Sequence, residues 1–399
     1  MVSSKEPALS RRARMIEVSP TVAMAQRAAA LRASGRSVLD FSVGEPDQPT
    51  PPSIVAAATQ AMAEGKTKYA PSAGTPELRR AVVRRYREDF GVRFEPSEVA
   101  ITIGGKQALY LVCQALLDRG DEMVLPAPYW PTFAECPRLA GAKPVIVPSR
   151  EKDGFAITAR LLSRAITPKT RAILINSPSN PTGSVVGAEE LLALAQLCRR
   201  RRITLLYDDT YARLSFEPID RTLLDRVRKE LGERLVIIGT ASKTYCMTGW
   251  RIGWVLAGQP LVDACAALVS HSTQCPTSFA MAGAVAALAG PQDVVERLAA
   301  EYRERYEFIY GAVTAIPGLT CVRPGGGFYL FPNCGTYLSK QCPTTLDLGA
   351  RLLEEQGVAV VPGEGFGAPG FLRLSFARSM GDLREGAYRI AAFLDRLRR

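Results

Sequence analysis

A lysine and an arginine lie close together between residues 240 and 253, in an order that could hold a small phosphorylated aldehyde. The amine of Lys243 can form a Schiff base with an aldehyde, and the guanidinium of Arg251 can bind a phosphate through two parallel hydrogen bonds. Pyridoxal 5'-phosphate (PLP) carries both groups on one ring. A single lysine is more often a solvated surface charge, so this interpretation depends on further motifs.

Motifs upstream of Lys243 could hold the phosphate and the ring of the same cofactor. Gly104 and Gly105 follow an apolar run and open a helical segment, so backbone N–H groups there could point at a phosphate. Taken alone, a plain structural turn explains the two glycines better. The indole of Trp130 could stack on a heteroaromatic ring, although a packing role in the core or at its rim explains this residue equally well.

Polar residues at the predicted ends of two strands could contact the remaining atoms of the ring. Asn180, in the stretch from residue 176 to residue 183, could offer its amide N–H to a phenolate oxygen, and Tyr211 could donate to the same atom. Asp208 ends the next apolar run, where a buried carboxylate needs a cationic partner such as a protonated pyridine nitrogen. An ion pair within the protein is the alternative for Asp208.

Arg373 lies inside an apolar run, from residue 372 to residue 376, where a charge without a function is disfavoured. A buried guanidinium needs an anion, and its planar fork suits the carboxylate of a substrate. The alternative is an internal salt bridge to an Asp or Glu that the sequence does not identify.

The elements that must position these residues follow an α/β pattern. Short apolar runs alternate with helical periodicity, which is typical of a mostly parallel sheet, and such sheets bind ligands at the carboxyl ends of their strands. A charged helix is predicted over 291–315, a strand pair around 328–331 and 372–375, and a last helix over 383–397. The predicted central strands span residues 99–103, 123–125, 145–147, 172–175, 203–207, 235–238 and 252–256.

The composition predicts a cytoplasmic globular protein of two or three domains. Of the 399 residues, 47% are hydrophobic and 22% are charged, and no apolar stretch is long enough to span a bilayer. Nine cysteines without a C-x-x-C pair predict neither a disulfide framework nor a zinc site, and the N-terminus does not read as a signal peptide. The net charge of +11 is spread along the chain, and its densest run, 199–202, is predicted to end a helix, so nucleic-acid binding is not expected.

Taken together and in order, these motifs resemble those of the class I and II aminotransferases of PLP fold type I, and most closely the bacterial aspartate-type subgroup. Further matching stretches are 44–47, 66–74, 325–329 and 360–363. The resemblance implies a large domain, with a mostly parallel seven-stranded sheet flanked by helices, and a smaller α+β domain. The expected division is an N-terminal arm with part of the small domain over 1–45, the large PLP-binding domain over 46–290, and a connector helix with the C-terminal small domain over 291–399.

The resemblance also implies a role for each candidate residue. Lys243 would bind PLP and act as the general base at the substrate Cα, and Asp208 would pair with the pyridine nitrogen. Arg373, with Asn180 and the backbone of Gly44, would hold the substrate α-carboxylate. The remaining contacts to the cofactor would come from Asn180 and Tyr211 at the phenolate oxygen, Trp130 at the ring, Gly105, Lys106, Gln107, Thr240 and Arg251 at the phosphate, and the partner subunit's Tyr69. That last contact implies a homodimer with shared active sites.

The implied reaction moves an amino group from an L-amino acid to a 2-oxo acid through aldimine, quinonoid and ketimine intermediates. In the aspartate-type subgroup, a lysine of the Gly-Gly-Lys-Gln motif and a threonine near the N-terminus help to recognise a distal carboxylate. Lys106 and Thr21 occupy the matching positions. An acidic donor, aspartate or glutamate, is therefore expected, unless Lys106 is only a cation near the phosphate.

Departures from the subgroup pattern keep other functions open. They include Asp209, Thr240 and Cys246, and the only histidine is His271. An alternative is a PLP-dependent lyase or synthase of secondary metabolism that uses the same quinonoid for β- or γ-elimination, replacement or carbon–carbon bond formation. A sensing module of a DNA-binding regulator is a further alternative, but the match begins by about Ser10 and leaves no space for a winged-helix domain.

Overall fold

The computed structural model describes residues 8–16 and 20–398. Its strands are β1 (Leu39–Asp40), β2 (Val99–Thr102), β3 (Glu122–Ala127), β4 (Lys143–Pro148), β5 (Thr170–Asn176), β6 (Thr204–Asp208), β7 (Leu235–Thr240), β8 (Gly253–Leu256), β9 (Tyr329–Leu330), β10 (Val358–Ala359), β11 (Val361–Pro362) and β12 (Leu372–Ser375). Its α-helices are α1 (Arg11–Met15), α2 (Pro20–Ala33), α3 (Pro52–Ala63), α4 (Pro76–Phe90), α5 (Gly104–Leu116), α6 (Thr132–Leu139), α7 (Ala159–Ser163), α8 (Ala188–Arg201), α9 (Leu223–Leu231), α10 (Gln259–Ser270), α11 (Ser278–Ala289), α12 (Asp293–Thr314), α13 (Thr345–Gln356) and α14 (Met380–Arg398).

The central sheet has seven strands in the order β2-β8-β7-β6-β5-β3-β4, which confirms the predicted α/β architecture. Strands β3 to β7 pair in parallel, and β8 runs antiparallel to both of its neighbours. Residues of α3, α4, α8, α9 and α11 join the apolar core on one face of the sheet, and residues of α5, α6 and α10 join the core on the other. Because both faces are covered, the inner strands are continuous apolar runs.

The smaller part of the molecule is built mostly from the C-terminal segment. Strand β12 pairs antiparallel with β9 and β11, as the predicted strand pair requires, and β1 pairs in parallel with β10. Helices α12, α13 and α14 pack on these strands around a second apolar core, to which Phe41 and Phe216 also contribute. The domain boundaries at residues 45/46 and 290/291 remain a prediction.

Helix α8 ends where the charge pattern predicts. It carries Arg199, Arg200 and Arg201 in its last turn, where cations complement the helix dipole.

Among the described residues, no single helix is long and apolar enough to cross a membrane, and only α11 and α12 taken together, bent by 78° between them, reach that length and composition.

Candidate active site

A cavity of about 270 Å³ lies at the carboxyl ends of β5, β6 and β7, beside the smaller part of the molecule. Parallel strands end at the same edge of a sheet, so polar residues that are distant in sequence meet there. Eleven of the predicted site residues line this cavity, namely Gly44, Gly105, Lys106, Trp130, Asn180, Asp208, Tyr211, Thr240, Lys243, Arg251 and Arg373.

Lys243 lies on the loop between β7 and β8, and its side chain enters the cavity. Its Nζ donates a hydrogen bond to the carbonyl oxygen of Gly44 over 2.6 Å. Burial is the main reason why the pKa of Lys243 is lowered to about 8, and the charges of Arg373 and Arg251 lower it further, against the opposing charge of Glu45. An amine with this pKa is partly neutral near pH 7 and can serve as a nucleophile or a base.

Asp208 is a buried carboxylate that forms no ion pair with a cation of the described residues. The side chain is 5% exposed, and Oδ1 accepts hydrogen bonds from Asn176 Nδ2 over 3.2 Å and from the backbone N–H of Thr210 over 3.0 Å. Burial raises the pKa of Asp208 to about 6. No ion pair among the described residues includes Asp208, so the predicted alternative of an internal pair finds no support.

Arg373 is a buried guanidinium that pairs with no carboxylate in the described ranges. It is 1% exposed, and it donates to the carbonyl oxygen of Ser42 over 2.6 Å and to Asn180 Oδ1 over 3.1 Å, while Nε has no partner. Its guanidinium carbon lies 4.5 Å from the ring centroid of Tyr329 and 5.0 Å from that of Phe366. Within the described part of the chain, no acidic side chain pairs with Arg373, so the charge is available to an anionic ligand.

The first turn of α5 and Arg251 form a second cationic corner of the cavity. Gly104 has a φ of +78°, and a Cβ atom there would lie 2.3 Å from a guanidinium nitrogen of Arg251, so glycine permits this close approach. The hydroxyls of Thr240 and Ser242 lie 2.8 Å apart beside it. Helix N–H groups, a guanidinium and two hydroxyls are the donors that a phosphate prefers.

Trp130 forms an aromatic wall of the cavity. Its ring packs edge-to-face against Phe133, with 5.3 Å between the ring centroids, and Lys106 Nζ lies 5.0 Å from its centroid. Burial is the main cause of a lowered pKa at Lys106. The ammonium therefore lies at the same wall as the indole, where it could meet either a phosphate or the far end of a substrate.

These residues fit PLP. The cavity contains a lysine amine for an aldehyde, a buried carboxylate without a cation for a pyridinium, and a cationic corner for a phosphate. The indole of Trp130 supplies a flat apolar face for the ring.

Three predicted site residues are not among those that line the cavity. The Gln107 amide accepts a hydrogen bond from the backbone N–H of Ile103 over 2.6 Å and donates to Thr273 Oγ1 over 3.2 Å, so this side chain caps the start of α5. Tyr69 is 84% exposed in the single chain. Thr21 lies near the start of α2, and its side chain is outside the part that the structure describes.

Five further residues line the cavity without a predicted role, namely Phe133, Asn176, Thr210, Ser242 and Tyr329. Ser242 and Asn176 belong to the motifs of Lys243 and Asn180, so their position in the sequence is a signal for a place at the site. Tyr329 lies in an aromatic run that reads as core. Cys246 and His271, whose roles the sequence left open, are not among the lining residues.

A second carboxylate, Asp209, is anchored behind Asp208. Its Oδ2 accepts a hydrogen bond from the hydroxyl of Tyr86 over 2.6 Å, and that hydroxyl accepts from the indole N–H of Trp254 over 2.9 Å. Since an indole can only donate, the order of donors in this chain is fixed. Burial is the main cause that raises the pKa of Asp209 to about 8, and the charge of Asp208 contributes.

We expect the unliganded protein to lose stability with rising pH because of Asp209. Its pKa in the unfolded chain is about 4 and rises to about 8 on folding, so the folded state holds the proton longer and stability falls as pH rises between these values. Asp209→Asn keeps an acceptor for Tyr86 and removes this titration. In urea denaturation at several pH values, the variant should lose less unfolding free energy between pH 5 and pH 8 than the wild type.

The control for this experiment is Asp118→Asn, because Asp118 is exposed. This variant should follow the wild-type dependence on pH. Parallel pH profiles for the wild type and Asp209→Asn would show that Asp209 ionises as easily in the folded protein as in the unfolded chain.

Comparisons with known proteins agree with this geometry. The family model "Aminotransferase class I and II" matches residues 36–390. The chain is 42% identical to an aspartate aminotransferase of Geobacillus stearothermophilus, over 97% of this chain and 99% of the relative, and 37% identical to an aspartate/prephenate aminotransferase of Cereibacter sphaeroides, over 95% and 96%. A solved aspartate aminotransferase of Thermus thermophilus with maleate superposes with a TM-score of 0.92 at 38% identity, covering 97% of this chain and 100% of that chain.

Proposed function

The chain belongs to the class I and II aminotransferases, and we propose on that premise that it transfers the amino group of an acidic L-amino acid to a 2-oxo acid with PLP as cofactor. The similar proteins named above are aminotransferases, so the alternative of a lyase or synthase is not favoured. One observation carries the proposal, namely that the buried guanidinium of Arg373, which pairs with no acidic side chain of the described residues, lines the same cavity as the amine of Lys243 and the carboxylate of Asp208.

When bound, PLP supplies an aldehyde for the amino group and a ring that spreads negative charge away from the substrate α-carbon. The chain would hold it at several points. Lys243 would bond to the aldehyde carbon, and Asp208 would keep the pyridine nitrogen protonated. The other contacts would be Trp130 at the ring face, Asn180 and Tyr211 at the phenolate oxygen, and Gly105, Thr240, Ser242 and Arg251 at the phosphate.

Lys243 would move the proton. Its Nζ lies in the cavity, where the carbonyl oxygen of Gly44 accepts its hydrogen bond and would hold the free amine in place. With a pKa lowered to about 8, the amine would be able to take a proton from the substrate α-carbon and to give it up again.

Two cations would select the substrate. Arg373 would hold the α-carboxylate that every amino and 2-oxo acid substrate carries, and the Asn180 amide beside it would add a donor. Lys106 would meet the distal carboxylate of aspartate or glutamate, with Thr21 as a second contact. The solved aspartate aminotransferase of Thermus thermophilus contains maleate, which is a dicarboxylate, and this supports an acidic substrate.

A homodimer would complete the site. Tyr69 is exposed in the single chain and does not line the chain's own cavity, as a residue that serves a neighbouring subunit should be. We therefore infer that each subunit supplies this tyrosine to the phosphate side of its partner.

The proposed function is tested in a single turnover. Protein loaded with PLP is mixed with L-aspartate in the absence of a 2-oxo acid, and both the visible absorbance and the released acid are followed. The visible band of the lysine-bound cofactor should be replaced by a near-ultraviolet band, with one oxaloacetate released per site. Release of ammonia, or loss of the visible band without a 2-oxo acid, would instead favour a lyase.

The Lys106→Met variant provides a contrast in the same assay. The second-order rate constant should fall roughly 10- to 100-fold with L-aspartate, because a charge-assisted hydrogen bond is lost. It should change little with L-alanine, which has no distal carboxylate. Lys152→Met is the control, since Lys152 is exposed and does not line the cavity. An equal loss with both amino acids would assign Lys106 to the phosphate alone.

A further inference from the structure

Tyr329 touches three residues of the candidate site, yet no role follows for it from the sequence. It lies on β9, is 1% exposed and lines the cavity. Its contacts are the hydroxyl of Tyr211, the guanidinium of Arg373 and the backbone of Gly44. These residues belong to the phenolate side, the carboxylate side and the lysine side of the cavity, so Tyr329 lies where the three meet.

The hydrogen bond between the hydroxyls of Tyr211 and Tyr329 has a defined donor once a ligand is present. The two tyrosine oxygens lie 3.0 Å apart, and either can donate. Burial raises the pKa of both hydroxyls, so both keep their protons at neutral pH. A tyrosine hydroxyl has one proton to donate and can also accept. When Tyr211 gives its proton to a ligand oxygen, it can only accept from Tyr329, and this polarises Tyr211 into a stronger donor.

The ring contact positions the guanidinium. Arg373 lies 4.5 Å above the Tyr329 ring centroid, which is within the range of a cation–π interaction. The hydroxyl at the other end of the ring fits only because residue 44 is glycine, since a Cβ atom there would lie 2.3 Å from it. The carbonyl oxygen of the same Gly44 accepts the hydrogen bond of Lys243.

We propose that Tyr329 is a positioning residue that couples the phenolate side of the cavity to its carboxylate side, because its hydroxyl donates to Tyr211 while its ring supports Arg373. The proposal rests on the proposed function, in which Tyr211 contacts the cofactor and Arg373 contacts the substrate. It predicts that the hydroxyl and the ring can be separated by substitution.

Tyr329→Phe removes the hydroxyl and keeps the ring. The measurement is the pH midpoint of the visible band of the PLP-loaded protein, which reports a proton shared with the cofactor's phenolate oxygen. With a weaker donor at Tyr211, that oxygen holds the proton more tightly, and the midpoint should rise by about half a pH unit to one unit. The KM for amino acids should stay within about threefold of the wild-type value, because the support of Arg373 is retained.

Tyr211→Phe and the double variant decide whether the effect passes through Tyr211. Tyr211→Phe should shift the midpoint further in the same direction, and Tyr211→Phe with Tyr329→Phe should equal Tyr211→Phe alone. Tyr337→Phe is the control, because Tyr337 is also buried but donates to the carbonyl oxygen of Pro317, away from the cavity. It should leave the midpoint unchanged.

The proposal is overturned if Tyr329→Phe binds PLP with the wild-type midpoint, or if the two tyrosine substitutions shift it independently. Tyr329→Leu tests the ring, and it should raise the KM for amino and 2-oxo acids alike by about tenfold, in a protein whose melting temperature is checked separately. An unchanged KM in this variant would also refute the coupling. Failure of the wild-type protein to bind PLP would instead refute the proposed function.

Discussion

Replacing Lys243 with alanine is expected to lower kcat at least about 10⁴-fold, the largest effect of any single substitution in this chain. The variant loses both the amine that bonds to the cofactor and the base that moves the substrate proton. Lys106 also lines the cavity, but its Nζ lies 5.0 Å from the ring centroid of Trp130, and we expect that it does not replace Lys243. Steady-state rates with L-aspartate and 2-oxoglutarate measure the loss.

The spectrum separates this explanation from a folding defect. The Lys243→Ala protein should bind PLP without the visible band of the lysine-bound form, and its far-ultraviolet circular dichroism should match that of the wild type. The control is Lys229→Ala, which removes an exposed lysine paired with Asp225 and should keep both the band and the rate. A Lys243→Ala protein that retained the full visible band would show that another lysine binds the cofactor.

Much of the central sheet can be predicted from the sequence, because a parallel strand covered on both faces is a continuous apolar run. Strands β5, β6 and β7 are such runs, and each ends in a polar residue of the cavity edge. The direction of β8 cannot be predicted in this way. It depends on the loop over 241–252, which returns the chain without a crossover helix and so places β8 antiparallel to β7.

The charged residues of the site are predictable for a related reason. Asp208 and Arg373 stand out because each interrupts an apolar segment where a charge needs a partner. Tyr329 gives no such signal, since it follows Phe328 in an aromatic run and both residues are buried in the same core. Its function depends on a hydroxyl contact across 118 residues of sequence. The contact between Tyr86 and Asp209, across 123 residues of sequence, is equally difficult to predict from the sequence.

Replacing Arg373 with methionine should separate function from stability. We expect kcat/KM to fall roughly 100- to 1,000-fold with every amino acid and 2-oxo acid, because each loses the charge-assisted hydrogen bonds to its α-carboxylate. The melting temperature should stay within about 3 °C of the wild-type value. The guanidinium has no acidic partner among the described residues, and burial disfavours its charge, so its removal offsets the loss of the hydrogen bonds to Ser42 and Asn180.

Arg228→Met is the matched control, with the opposite pair of effects. Arg228 donates to both carboxylate oxygens of Glu98, over 2.8 and 2.9 Å, and lies 3.6 Å from the ring centroid of Phe94, in a region separate from the cavity. Its loss should lower the melting temperature and leave kcat/KM unchanged. If Arg373→Met instead unfolded the protein more readily than Arg228→Met with substrate affinity intact, the buried charge at 373 would have a structural role, and the α-carboxylate would bind elsewhere.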